Sequence, residues 1–348
     1  MNTLQKTFFL FLALAASFAS PALGQQTDAP KKSQDAVFEN QIAKVTKRKV
    51  GDQKVLLTYK FKKGDVIRLQ HDHRTVVETR FAQDSDKTST RARPDYQWTV
   101  KNIDSLGNIR FDIEMQRIKI LEQQGEDEPV FYDSDKHKKA PDTCLPYQER
   151  IGRVCSTYTI SPDGRVVASK SHYRQVKLGG VGNNPVIAFP KKPIAIGHKW
   201  DVSSDVRAKD EYGSMQQVKL RIRYVLEKIV DGKAHITFTT DNLTPQIGET
   251  VRAQIVTHLT RGFLVFDIAK GTLTHRESRW DERVIGYQGP ESYMHYAALR
   301  SETLVQDKKV AATPKAAAKP KKPVAKVAAK QRKTPGQTHT LLKPLKKQ

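Results

Sequence analysis

Val218, Leu220, Ile222, Tyr224 and Leu226 form the cleanest alternation in the chain, with Lys219, Arg221 and Arg223 between the first four, and the same period of two recurs from Val55 to about residue 305. Successive side chains of a strand leave opposite faces, so this alternation marks half-buried antiparallel strands; an amphipathic helix would repeat every 3.6 residues. Val55, Leu57, Tyr59 and Phe61 alternate first, and Lys63-Gly64-Asp65 turns the chain. Ile67, Leu69, His71, His73, Thr75 and Val77 then share one face of a long strand. Tyr96, Trp98 and Val100 begin another; residues 104–108 make a hairpin turn, and Ile109, Phe111, Ile113 and Met115 return. Trp200, Val202 and Val206 open the second half, Asp231-Gly232 turns, and Ile236 and Phe238 come back. Further strands fit 251–260, 263–268, 272–285 and 293–305. No amphipathic helix longer than about ten residues is predicted. The expected fold is all-β, with antiparallel curved sheets of half-barrel type.

The halves match each other weakly. Trp98–Met115 aligns with Tyr224–Thr240 across one gap, and Tyr158–Val167 aligns with Phe266–Thr274. Lys62-Lys63-Gly64-Asp65 precedes the first long strand as Ala195-Ile196-Gly197-His198 precedes Trp200. Matches in the same order point to two repeats, 51–182 and 183–306, with the boundary at Asn183-Asn184-Pro185.

These motifs (a KKGD turn, a W-x-V…D-x-x-G hairpin, DGRV, a PIAIGHKW entry and a closing FDIAKGTL strand) resemble a family of exported bacterial proteins of unknown function, common in planctomycetes and bacteroidetes. The resemblance covers about residues 55–305. It implies a fold and no catalytic residues. More loosely, the architecture is similar to the half-barrels of periplasmic lipoprotein carriers.

Both ends differ from this β-rich middle. Lys6, the apolar run Phe8–Ala16 and the small-x-small site Ala22-Leu23-Gly24 read as a signal peptide over 1–24, with Gln25 as the new N-terminus. The run is too short to span a bilayer, which takes about 20 residues. Export to the periplasm or the exterior is therefore expected. Residues 25–50 read as a polar linker with a short helix near Val37–Val45.

Residues 307–348 carry 13 lysines and arginines against Asp307 alone, within a chain of net charge +23. Prolines at 314, 320, 323 and 335 block a continuous helix, and apolar bulk is too sparse for a core, so a disordered basic tail is expected. Lys315, Lys319, Lys321, Lys322, Lys326, Lys330, Arg332 and Lys333 are its polyanion-binding candidates. Outside the cytoplasm the polyanions on offer are lipid headgroups, acidic glycans and wall polymers, so an anionic envelope surface is the expected partner. Nucleic acid would require the protein to stay in the cytoplasm.

An oxidising compartment also makes a Cys144–Cys155 disulfide the expectation, worth roughly 2–3 kcal/mol for so small a loop. Free buried thiols are the alternative.

Catalytic signatures are scarce. The chain has no GxSxG, HExxH, Walker A or GxGxxG motif in a suitable setting. The acid pairs Asp84/Asp86 and Asp133/Asp135 fall in polar segments that read as solvated loops. His71 and His73 leave one face together and could hold a transition metal if His258, His275 or His295 supplied a third ligand; otherwise they are sheet histidines. Trp98, Trp200 and Trp280 belong in a core by default; alternatively the first two line a concave surface.

A curved sheet that does not close needs cover on one face, and few helices are in prospect. The leading expectation is thus a non-catalytic extracytoplasmic binding or scaffolding protein with no cofactor. Its β-domain would face an apolar ligand or a protein partner through His71, His73, Trp98 and Trp200. The competing expectation is a metal-assisted hydrolase built on His71 and His73.

Overall fold

A computed structural model of the protein describes residues 54–173 and 184–305. The signal segment, the linker helix near Val37–Val45 and the basic tail lie outside these residues.

Twelve strands form one sheet. They are β1 (Val66–Phe81), β2 (Asp84–Ile103), β3 (Ile109–Gln124), β4 (Val130–Asp133), β5 (Arg153–Ile160), β6 (Val166–Ser171), β7 (Lys199–Lys209), β8 (Met215–Val230), β9 (Lys233–Asn242), β10 (Arg261–Asp267), β11 (Thr272–Ile285) and β12 (Ser292–Leu304). Their order is β6-β5-β3-β2-β1-β12-β11-β10-β9-β8-β7, with β4 paired to β3 beside this path. Every ladder is antiparallel. Both halves of the sequence thus lie in a single sheet. They are joined at its centre by β1 and β12, which pair from Leu69↔Leu304 to Phe81↔Ser292.

The sheet curls around its core. Trp98 and Phe111 from one side and Tyr224 and Phe238 from the other belong to one buried cluster, although several strands separate them in the sheet. Two non-strand segments fill the space between. Residues 55–61 contribute Leu57, Tyr59 and Phe61, residues 186–194 contribute Val186, Ile187, Phe189 and Ile194, and Val55 bridges Ile194. Aromatic rings run across the fill. Trp98 stacks on Phe111 at 5.1 Å, Trp200 on Tyr224 at 5.3 Å, and Tyr59 and Phe189 meet at 5.5 Å. The Tyr59 hydroxyl accepts the Ile187 N–H at 2.9 Å, which ties one filling segment to the other.

The rest of the inner face is covered by the same chain. The loop that carries the short helix α1 (Leu145–Gln148) closes over Met115, Ile118, Ile120 and Tyr132. Helix α2 (Glu249–Ile255) places Val251 and Ile255 over Val218 and Leu220, and the 3-10 turn after it adds Val256 beneath Trp280 and Tyr296. The expected strand over 251–260 is therefore wrong. Val251, Ile255 and Val256 fit a helical spacing as well as a strand's, and over so short a stretch tertiary cover decides. The expected shortage of cover is also corrected: loops supply it where long helices do not.

The disulfide expectation fails as well. Cys144 and Cys155 are free thiols. Both pack at the cluster under the α1 loop, but Cys144 Sγ lies against the Thr143 hydroxyl at 3.8 Å, and Cys155 Sγ points to the carbonyls of Arg153 and Arg150 at 3.5 and 3.9 Å.

Candidate functional site

At the central seam, alternation carries polar groups into the interior. Inward β1 positions read Ile67, Leu69, His71 and His73; Glu302 of β12 stands opposite His71 and Arg300 opposite His73. Arg276 of β11 stands opposite Glu302, and Ser278 opposite Arg300. Pro94 in β2 offers no N–H to β1, and the β1–β2 ladder lapses at His71 and Asp72. A proline inside a paired strand is tolerated at a bulge, and the β2–β3 register shifts at Asp95/Tyr96.

Arg276 Nη2 donates to both Glu302 carboxylate oxygens, at 2.7 and 2.6 Å, and Nη1 donates to the Asn184 carbonyl at 3.2 Å. Arg300 Nη2 reaches Glu302 Oε1 at 2.8 Å and His71 Nδ1 at 3.4 Å. Glu302 is 3 % exposed. Burial alone would raise its carboxyl, but Arg276 and Arg300 hold it down at about 2. Burial lowers His71 to about 3 and His73 to about 4. Both imidazoles are thus neutral near pH 7, and the cluster keeps one positive charge in excess.

Arg300 can only donate, so His71 Nδ1 accepts and the ring proton sits on Nε2. That Nε2 is buried without a hydrogen-bond partner, as is Arg276 Nε. The His71 ring meets Tyr96 at 4.9 Å, and His73 lies edge-on to Trp280 at 6.2 Å with Nε2 at 3.2 Å from the Thr75 hydroxyl. Tyr96 is pushed up to about 12, chiefly by burial. No group of this cluster therefore exchanges a proton readily near neutral pH, and its chemistry is that of a buried ion network.

The other predicted residues are dispersed. His275 bonds the Thr303 hydroxyl and His295 pairs with Asp281, both at strand positions that alternate with the inward Arg276 and Met294, so they leave the outer face, away from His71. Among the described residues no three His, Cys, Asp or Glu side chains come together as a metal site. Trp98 is core, 6 % exposed. Trp200 is partly buried, and its indole N–H donates to the Ala188 carbonyl at 3.0 Å. Asp133 is not in a solvated loop: it ends β4, is 1 % exposed and pairs with Lys119 at 3.0 Å. Asp84 and Asp86 belong to β2.

Open space lies at the lower end of the seam, where β1 begins and β12 ends. The interior there holds a void of only about 10 Å³, lined by Trp98, Tyr59 and Leu273 among others. In front of it is an open cleft of about 400 Å³. Phe61, Ile67 and Thr272 line both spaces. Lys60, Arg68 and Lys270 give the cleft three cations against Asp65, and Val66, Leu304 and Val305 add apolar surface. Lys60 Nζ donates to the Ile268 carbonyl at 2.9 Å, which holds its ammonium at the rim.

Sequence reasoning singled out neither Arg276, Arg300 and Glu302 nor the cleft. Arg300 and Glu302 were within reach, because the alternation that sends Met294, Tyr296 and Ala298 inward also sends them inward.

No family model matches this chain, and no curated protein matches it. The resemblance to the exported bacterial family therefore gains no support from them. Among solved structures the chain is similar to lipovitellin, in a study of its lipid–protein interactions, with 11 % identity and a TM-score of 0.38. The similarity covers 71 % of this chain and 26 % of that one, so the chain spans about a quarter of lipovitellin's length.

Proposed function

We propose that the protein is an exported, non-catalytic binding protein whose β-domain takes an anionic amphiphile and whose basic tail attaches it to an anionic envelope surface. The observation that carries the reading is the cleft, with Lys60, Arg68 and Lys270 beside Phe61, Ile67 and Leu304. An acyl chain has apolar wall to lie against, and its carboxylate or phosphate head meets ammonium and guanidinium donors. The interior is filled by residues 55–61 and 186–194, so the ligand is held at the sheet's end and not within it. Val305 lines the cleft and the tail begins two residues later, so both anion-seeking parts start from one place.

Titration of the full chain with oleate, followed by tryptophan fluorescence, tests this. Trp98 sits behind Phe61 and Ile67 and will report on the cleft. Oleate is expected to saturate, and oleyl alcohol, with the same chain and no charge, to bind at least about tenfold more weakly. Lys60→Gln with Lys270→Gln is expected to remove that difference. Equal binding of the two ligands by the unaltered protein would overturn the proposal.

A further inference from the structure

The outer face of the sheet carries a row of arginines that the cleft does not use. The ladders place Arg91 of β2 opposite Arg74 of β1, Arg74 opposite Leu299 of β12, and Leu299 opposite Arg279 of β11. The row continues from Arg279 to Arg261 of β10, then Thr239 of β9, then Arg223 of β8. Seven adjacent strands thus contribute five arginines and no acid at one level. At neighbouring strand spacings of about 4.8 Å the row spans roughly 29 Å.

Like charges directly opposite across a ladder destabilise a sheet. This row contains two such pairs, Arg74↔Arg91 and Arg261↔Arg279. A face selected only for solubility has no cause to repeat that cost in one line, since interspersed signs would serve it better. Acids compensate in part, Asp72 and Glu277 from a flanking level and Asp201 of β7 from the row's own level, directly opposite Arg223. Asp72 takes Arg91 at 2.6 Å and Arg74 at 3.3 Å, Glu277 takes Arg279 at 2.9 Å, and Asp201 takes Arg223 at 3.2 Å. Three carboxylates against five guanidinium groups leave the row cationic. Arg74 and Arg261 are the exposed members.

We propose that this row is a docking surface for a linear anionic polysaccharide, laid across the strands. The step between strands is close to the rise of one pyranose residue, so carboxylates or sulfates spaced along the chain meet the exposed guanidinium groups of Arg74 and Arg261, which can bind an oxoanion with two parallel N–H donors, and the net positive charge along the row. A single-stranded nucleic acid would call for aromatic side chains on which bases stack. The row has none: its two non-arginine members are Leu299 and Thr239. The surface is independent of the cleft and of the tail.

The test compares full-length proteins on heparin fragments of defined length across a salt series. The row variant is R74Q/R223Q/R261Q. The equal-charge control is K136Q/K138Q/K139Q, at exposed lysines of the loop after β4. The row variant is expected to lose at least about tenfold in affinity and to flatten the dependence of log K on log salt by about two to three, the value for three lost ionic contacts. The control is expected to stay near the unaltered protein, and R74K/R223K/R261K to restore the slope, which separates lost charge from lost fold. Affinity should rise with fragment length up to about 29 Å and then level off. Equal losses in the row variant and the control would overturn the proposal, as would no loss in the row variant. Tighter, row-dependent binding of an oligothymidylate of equal charge would overturn the assigned partner.

Discussion

Arg276 grips Glu302 through a single nitrogen, Nη2, which donates to both carboxylate oxygens at 2.7 and 2.6 Å, while Arg276 Nε is buried with no partner. The pair is therefore less completely bonded than a two-nitrogen fork, and it depends on Arg300 for its remaining contact.

Removing the carboxylate charge should be costly. Glu302→Gln leaves two guanidinium groups without their shared counter-charge, and loss of one member of a buried network costs about 3–5 kcal/mol. Arg276→Met together with Glu302→Leu should cost less than the single change, because it removes the buried pair and leaves Arg300, 18 % exposed at its side chain, able to reach water. Urea unfolding of the three proteins decides it; a single variant milder than the double would contradict the account.

Acid should loosen the seam. His71 and His73 titrate near 3 and 4 in the folded protein against 6.5 when unfolded. Between those limits the unfolded chain binds more protons, so stability falls as pH falls, by up to about 1.4 kcal/mol per pH unit for each histidine. Glu302, held at about 2 against 4.5, adds to the same trend below pH 4.5. Melting temperatures measured from pH 7 to pH 4 should drop steadily. His71→Gln with His73→Gln should flatten the profile above pH 4.5, where Glu302 does not yet contribute.

The seam also shows how far the sequence could be read. Alternation identified β1, β8 and the β2–β3 and β8–β9 hairpins, because a half-buried strand writes its exposure directly into residue order. It placed His71 and His73 on one face correctly. It could not say that β12 lies against β1, since pairing between the first and last strands leaves no local trace. Alternation sends Arg300 and Glu302 inward, but their place opposite His73 and His71 was hidden with it. Residues 251–260 misled because so short a segment fits either period, and the thiols because compartment is an argument about chemistry, not about where side chains point.

Gly164 is a sharp test of the filled interior. A Cβ there would lie 2.0 Å from the Ile187 carbonyl oxygen and 2.6 Å from the Tyr59 ring, at a φ of +83°. Gly152 has a φ of +70° with nothing within 4 Å. Gly152→Ala should cost about 1–2 kcal/mol, for backbone conformation alone. Gly164→Ala should cost clearly more, because it also parts the two filling segments. Equal chemical-unfolding midpoints for the two variants would refute the close packing described.

The thiols offer a chemical check. Burial raises both Cys144 and Cys155 above the ordinary range. Reaction with an aromatic disulfide reagent should be slow in the folded protein and give two thiols on unfolding, with no change of electrophoretic mobility on reduction. Fewer than two thiols in unfolded, freshly prepared protein would contradict the structure.

The pairing of β1 with β12 has a consequence for how the chain is made. Leu69 finds Leu304 only after every intervening residue has been synthesised. Until then β1 presents an open edge of unpaired N–H and C=O groups, and Arg276 has no carboxylate opposite it. Contacts so distant in sequence form late and slowly. A polypeptide emerging N-terminus first therefore holds an unfinished sheet, with β1 unpaired on the side that faces β12, until its last strand arrives.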